Sequence, residues 1–207
     1  MRHASTRDLY AHWDGMRGDR AAPERKDIDP VAIRGSIGDT FMLELAADGI
    51  YRFGLSGERV NALFGLGLRD KSFVSLWPVH EQGEISSLCA NVCDEALPIV
   101  AGLEAAADGR TAAALELLLL PLRYNGKTHS RILGTVSAAR FPAWLGRVPV
   151  ARLSLVSMRI VTGTGNQRKH QASSVSQPRR AGDVLPAAGH VTPIRQRGHL
   201  TVYEGGK

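Results

Sequence analysis

Few residues in this sequence could carry chemistry, and the two cysteines are the first to consider. In a chain of 207 residues, Cys89 and Cys93 are four positions apart. That spacing places both on one face of a helix, in a geometry that does not suit a disulfide. Free cysteine is among the most often buried residue types, so we interpret both as small core residues. This interpretation favours a reducing, cytoplasmic compartment.

The seven histidines show no metal-ligand spacing. His3, His12 and His129 are scattered, and His80 fits a solvated cap at the start of a predicted helix better than an axial haem ligand. Flavin photosensors need a reactive cysteine in an Asn-Cys-Arg-Phe-Leu-like stretch, which residues 87–93 do not match. We therefore predict no metal site, find no support for flavin or haem, and leave the cofactor unknown.

The sequence also lacks the patterns of catalytic sites. It contains no Gly-x-Ser-x-Gly turn and no phosphate-binding loop, and Gly65-Leu66-Gly67 follows a helix rather than preceding one. Asp94 and Glu95 are adjacent on a predicted helix, so their carboxylates point in different directions. We predict no catalytic residue.

The elements that must position any site are short strands and helices. Asp48-Gly49, Asp108-Gly109 and Asn125-Gly126 each separate two apolar runs. Such pairs predict hairpins, because the central residues of a type I′ turn need positive φ. Apolar residues at helical spacing over 85–96, ended by Pro98, predict an amphipathic helix. The expected order is β-β-α-α-β-β-β, an α+β fold.

Composition divides the chain into three segments. Residues 1–38 are predicted to form an N-terminal helical cap, including a brief helix from Pro30 to Ile37, and residues 39–162 form the α+β domain. Residues 163–207 are predicted to be a basic disordered tail, because they hold too few large apolar residues to offset the entropy of ordering. A membrane-spanning helix needs about 20 apolar residues, and no such run occurs, so we predict no membrane segment. Residues 1–30 hold six basic and six acidic side chains, so we also predict no secretory leader, which would need an apolar stretch there.

The basic charge of the chain lies in this last segment. The formal net charge is +6, and residues 163–207 carry 7 basic and 2 acidic side chains. A nucleic-acid-associated protein is therefore one alternative, although the tail has a single aromatic, Tyr203, for stacking on bases. Leu200 and Val202 alternate like a short strand that could dock on a sheet edge, in this molecule or another. The basic residues concerned are Arg168, Lys169, Arg179, Arg180, Arg195 and Arg197.

Several short motifs resemble the stand-alone PAS-type proteins of alphaproteobacteria. The resemblance covers about residues 9–160, and Pro-x-Arg-x-Asp-Ile-Asp-Pro is its most specific part. It implies a PAS-like five-stranded antiparallel sheet with flanking short helices, and a cytoplasmic sensory or signalling module without catalytic activity. The motifs are Leu9…Trp13…Met16-Arg17-Gly18, Ala22-Pro23-x-Arg25-x-Asp27-Ile28-Asp29-Pro30, Tyr51-Arg52-Phe53-x-Leu55-x-Gly57, Leu63-Phe64-Gly65 and Ser72-Phe73-x-Ser75-Leu76-Trp77.

In such a fold the longer helix packs across the sheet, and the space between them is either a packed core or a ligand pocket. Close packing is the default for protein interiors, whereas small residues in the last three strands favour a pocket. The small residues are Ala101, Gly102, Ala113, Gly134 and Ala138. The candidate pocket residues are Phe53, Phe64, Phe73, Trp77, Leu88, Val92, Leu117, Leu119, Ile132 and Val136.

The N-terminal helix carries an apolar stripe that needs a partner surface. Leu9, Trp13 and Met16 lie at helical spacing, and they fit either packing within the chain or a homodimer contact. We hypothesise a module that acts through a protein partner and is gated by a small ligand. A small enzyme on a cone-like α+β fold is the second alternative, and it would need a buried ionisable group between helix and sheet.

Overall fold

An antiparallel sheet forms the centre of the protein. The computed structural model describes residues 1–138 and 140–161, and the backbone of residues 195–197 and 200–204. Five strands lie in the order β2-β1-β5-β4-β3, which confirms the predicted fold class. The strands are β1 (Thr40–Leu45), β2 (Tyr51–Ser56), β3 (Ile99–Ala106), β4 (Ala113–Tyr124) and β5 (Lys127–Ala138).

The sheet continues beyond the five expected strands. β6 (Arg152–Ile160) pairs antiparallel with β3 along its whole length. β8 (Leu200–Glu204) pairs parallel with β6, and β7 (Arg195–Arg197) pairs antiparallel with β8. Among the described residues the sheet therefore has eight strands, and β8 lies where the alternation of Leu200 and Val202 indicated a strand.

The predicted hairpin turns are present. Asn125 and Gly126 have φ values of 51° and 82°, and Tyr124 pairs with Lys127 across them. Both central residues thus adopt the positive φ that a two-residue type I′ turn requires. Turn chemistry correctly identified β3 and β4 as strands, although the Ala, Leu and Glu content of 105–120 favours helix.

Helices cover both faces of the sheet. α2 (Glu58–Phe64) and α3 (Val79–Asp94) pack on the inner face, and α1 (Ala4–Arg17) packs on the outer face. None of the helices among the described residues is long and apolar enough to cross a bilayer.

The predicted helix from Pro30 to Ile37 is wrong. These residues form successive turns, followed by a single 3-10 turn at Ile37–Asp39. Asp29 does act as a cap, since its carboxylate accepts the Val31 N–H at 2.8 Å. The helix does not continue, because Gly35 and Ser36 have low helix propensity and only Ile33 and Ser36 in this stretch are buried.

The predicted disordered tail lies largely outside the described residues. Arg168, Lys169, Arg179 and Arg180 are outside them as well, whereas Arg195 and Arg197 belong to β7.

Candidate functional site

The space between the sheet and helices α2 and α3 is the first candidate site. All ten predicted pocket residues lie in the buried apolar cluster that fills this space, so the predicted inward side of each element agrees with the structure. Their role as ligand contacts stays a prediction. The ten are Phe53, Phe64, Phe73, Trp77, Leu88, Val92, Leu117, Leu119, Ile132 and Val136.

Aromatic rings occupy the centre of this inner cluster. Phe53 and Phe73 lie 5.6 Å apart between ring centroids, and Phe73 and Trp77 lie 4.7 Å apart. Phe41 packs on both phenylalanines and also fills the room beside Gly134, where an added Cβ would overlap its ring. The small residue Gly134 therefore accommodates an aromatic side chain rather than leaving space for a ligand.

Trp77 and Glu81 bring polar groups to the inner cluster near the start of α3. Trp77 is 3% exposed, and its indole Nε1 has no hydrogen-bond partner among the described residues. Glu81, in the first turn of α3, is 8% exposed and accepts the Leu155 N–H at 3.3 Å. The Glu81 carboxylate is thus hydrogen-bonded to the backbone of β6, whereas the Trp77 N–H remains a donor without a partner among the described residues.

Burial keeps the interior thiols and the nearby phenol protonated. It raises the pKa of Cys93 to about 11 and raises that of Cys89 further. Burial also raises the pKa of Tyr51, and a hydrogen bond with Cys93 adds to the effect. Thiols in this state are poor nucleophiles, so these ionisable groups, although they lie between helix and sheet, are not activated for catalysis.

The second candidate site is the contact between α1 and the outer face of the sheet. Leu9 and Trp13 are 0% and 1% exposed, and the Trp13 indole donates to the Pro121 carbonyl at 2.8 Å. Met16 is 41% exposed. The structure thus places Leu9 and Trp13 against this chain's own sheet, which supports the intramolecular alternative for the stripe. The residues that they join are Ala22, Ile33, Met42, Val100, Leu118, Leu120, Leu122 and Leu133.

The first turn of α1 contacts the rest of the protein through polar groups rather than through apolar side chains. The Asp39 carboxylate, on a residue that is 5% exposed, accepts the Ser5 hydroxyl at 2.5 Å. The same carboxylate accepts two hydrogen bonds from Arg59 of α2, at 2.7 and 3.1 Å. Asp39 therefore joins a helix on the outer face of the sheet to a helix on the inner face. We call this the Asp39 junction.

A second carboxylate holds the start of α1. Glu116 on β4 accepts the backbone N–H of Arg2 at 2.8 Å and that of His3 at 3.1 Å. These are N–H groups at a helix start, where a negative charge is favourable. Burial alone would raise the pKa of Glu116. The N–H donors of Arg2 and His3, the Thr6 hydroxyl and the N-terminal charge together outweigh it and hold the pKa below its ordinary value.

A groove lies beside α1 on the outer face of β3, β4 and β6. Its volume is about 610 Å³, and the residues that line it include Arg2, His3, Gly102, Ala114 and Glu116. Of the small residues in the last three strands, Gly102 therefore lies on the outer face, whereas Ala101, Ala113 and Ala138 belong to the buried inner cluster. None of the ten predicted pocket residues lines this groove.

His12 and His129 take local structural roles. His12 Nε2 accepts the Asp29 N–H at 3.2 Å, and His129 lies 3.5 Å from Asp94. Within the described part of the chain, no group of three or more His, Cys, Asp or Glu residues could hold a metal ion.

Sequence reasoning missed both carboxylates that hold α1. Glu116 left a signal, since it is an acidic residue inside the apolar run from Ala112 to Leu122. Asp39 and Arg59 gave no signal in the sequence. They are 20 positions apart, and this spacing does not indicate that their side chains form an ion pair.

A family profile described as a PAS domain matches residues 1–137. A search of the curated proteins gave no match.

Two solved structures are similar to the chain. The PAS domain of a protein from Colwellia psychrerythraea has 12% identity and a TM-score of 0.38, covering 53% of this chain and 97% of that domain. The N-terminal domain of a diguanylate cyclase with PAS/PAC sensor from Marinobacter aquaeolei has 11% identity and a TM-score of 0.36, covering 48% and 94%. At these scores the assignment rests on the profile, which spans more than half of the sequence: the chain belongs to the PAS domain family.

Proposed function

We propose that this PAS domain is a bacterial, cytoplasmic sensory module that signals through a protein partner and catalyses no reaction. PAS domains are in general sensory, non-catalytic modules. Two buried free thiols fit a reducing compartment. The Asp39 junction supports the proposal most directly, because it connects the interior to an outer helix.

The junction offers a route by which a change in the interior reaches the surface. Val60, Leu63 and Phe64 of α2 belong to the inner cluster, while Arg59 of the same helix binds Asp39. A shift of α2 would move Arg59, weaken its hold on Asp39, and so loosen the Ser5 end of α1. The released helix would then change the surface that a partner meets.

Hydrogen exchange on the variant Arg59→Gln tests this route. Arg59 makes no hydrogen bond to α1 in the structure, so faster exchange of the amides over residues 4–9 would have to pass through Asp39. We expect at least fivefold faster exchange there. The matched control is Arg52→Gln, which removes an exposed ion pair with Asp48 at 2.7 Å and should leave α1 unchanged. Equal protection of α1 in Arg59→Gln and the wild type would contradict the route.

The free donor of Trp77 favours gating by a small ligand. A buried N–H without a partner is costly, and a ligand that carries an acceptor would satisfy it. Native mass spectrometry of freshly purified protein reports any retained molecule together with the number of subunits, and so also tests the homodimer alternative for the apolar stripe of α1. We expect Trp77→Phe to lose a molecule that the wild type retains, and retention by both would remove Trp77 from the site.

A further inference from the structure

The groove beside α1 has a floor of small and apolar residues. Val100 belongs to the apolar cluster that packs under α1, and Gly102 faces the same side because alternate residues of a strand share a face. Since Gly102 has no side chain, the groove reaches the main chain of β3 there, beside the Ser157 hydroxyl. Ala114 and Val156 also line the groove, and Val156 is 60% exposed. The floor is therefore an apolar surface that solvent reaches.

Two arginines line the same groove. Arg159 of β6 lies opposite Val100 in the antiparallel ladder, and directly opposite residues point to the same face, so its side chain is on the outer side. Arg2 lies at the start of α1, where its N–H binds Glu116. Arg159 is close to this start, because its charge, after burial, lowers the pKa of the Met1 amino group. Among the described residues, neither guanidinium donates a hydrogen bond or joins an ion pair.

The two carboxylates of the groove do not form ion pairs with these arginines. Glu116 accepts the main-chain N–H of Arg2 and that of the next residue instead. Glu104 lies four positions beyond Val100, the residue opposite Arg159, and is therefore about 13 Å away along the strand. One end of the groove thus carries two guanidinium groups beside an apolar floor, and the other end carries Glu104.

We propose that this groove binds a small molecule that carries a carboxylate on an apolar body. Arg159 donates to the carboxylate, since a planar guanidinium matches two carboxylate oxygens at once, and Arg2 adds a second positive charge. The apolar body lies over Gly102. Because an ion pair that solvent reaches contributes little by itself, binding needs both the charge and the contact with the floor. The site is separate from the inner cluster and does not rest on the function proposed above.

The test uses the full-length chain and benzoate, which joins a carboxylate to a flat apolar ring. In an NMR titration we expect saturable shifts of the main-chain amides of Gly102 and Ser157, and at least fivefold weaker binding by Arg159→Gln. The matched control is Arg152→Gln, because Arg152 is an exposed arginine of the same strand that does not line the groove. This variant should bind benzoate as the wild type does.

Two further probes separate the charge from the ring. Benzamide keeps the ring without the negative charge, and inorganic phosphate keeps negative charge without the ring. Each should bind at least fivefold more weakly than benzoate. Equal binding of benzamide would overturn the role of the arginines, and equal binding of phosphate would overturn the role of the apolar floor.

A second substitution tests the floor. Gly102→Val places a side chain where the apolar body would lie, and the exposed Ser157 hydroxyl can rotate to admit it. We expect at least fivefold weaker binding of benzoate, with unchanged amide shifts in β1 and β5 to show that the fold is intact. Equal affinity of the wild type and Arg159→Gln, or no saturable shift in the wild type, would overturn the proposal. Shifts centred on Trp77 would also overturn it, in favour of a site in the inner cluster.

Discussion

At the residue scale, the close approach of α2 to the preceding loop depends on one glycine. Gly57 precedes α2, and a Cβ there would overlap the carbonyl oxygens of Ile37 and Gly38. Since the clashing atoms belong to the backbone, they cannot rotate away. The loop that carries Asp39 therefore sits against the start of α2 only because residue 57 has no side chain.

We expect Gly57→Ala to lower the free energy of unfolding by about 3 kcal/mol, at the upper end of overpacking effects. Urea denaturation monitored by tryptophan fluorescence measures it. The matched control is Gly15→Ala in α1, where an added Cβ meets no atom within 4 Å. That variant should gain about 0.5–1 kcal/mol from helix propensity. A similar loss in both variants would contradict the packing described.

The sequence predicted the residues whose conformation depends on their immediate neighbours in the chain. It did not predict the residues whose hydrogen-bond partners are far away in the sequence. Asn125 and Gly126 predict their own turn, because both residue types tolerate the positive φ that it requires. The inward residues of the strands follow from simple alternation. Asp39 and Glu116, by contrast, became important only when folding brought Ser5 and Arg2 to them.

At the scale of elements, α1 is held by an apolar anchor at one end and by carboxylates at the other. Trp13→Ala should remove the anchor and leave the Pro121 carbonyl without its donor, at a cost of about 3–5 kcal/mol. Limited proteolysis should then cut within residues 4–17 well before it cuts the sheet.

Met16→Ala is the control for the anchor, because Met16 lies on the same helix but is 41% exposed. It should leave the proteolysis pattern unchanged, and equal sensitivity of the two variants would contradict the docking of α1. Sedimentation of Trp13→Ala tests the homodimer prediction at the same time. A profile identical to that of the wild type counts against a dimer contact through the stripe.

The carboxylate end of α1 predicts a pH dependence. The folded pKa of Glu116 lies below its unfolded value, so this group stabilises the fold above the unfolded pKa of about 4.3. That contribution is lost as the pH falls through the folded pKa. Glu116→Gln should be less stable than the wild type at pH 7, and the difference should shrink below pH 4.

Thermal unfolding between pH 3 and pH 7 measures this difference. Glu104→Gln on the neighbouring strand is the control, since Glu104 is exposed, and its melting temperature should follow the wild type throughout. If the difference in melting temperature between Glu116→Gln and the wild type grew toward low pH, the expected direction of the pH dependence would be wrong.

Helices and strands that follow from a local sequence pattern were predictable from the sequence. Strands whose position depends on pairing with a distant part of the chain were harder to predict. The hairpins and α3 follow from turn residues and helical spacing. The helix expected at 30–37 failed because a good cap does not compensate for Gly35 and an exposed surface. The position of β8 depends on β6, some 40 residues earlier in the chain, and no local pattern specifies a parallel partner.

At the scale of the whole molecule, the reactivity of the two thiols measures how often the inner cluster opens to solvent. Cys89 and Cys93 are both fully buried, and burial raises the pKa of each. At pH 8 we expect a thiol reagent such as DTNB to label the folded protein only as fast as the protein opens, and to label two thiols at once in denaturant. Labelling of either cysteine within seconds under native conditions would contradict the burial described.

The two-sided core also has a consequence for synthesis of the chain. Trp13 is translated 108 residues before Pro121, whose carbonyl it binds, so the apolar stripe of α1 leaves the ribosome long before β4 and β5 exist to cover it. The inner cluster likewise needs β3 to β5. A growing polypeptide therefore carries an uncovered tryptophan and leucine for most of its production, which makes the early nascent chain the stage at which a chaperone would be most useful.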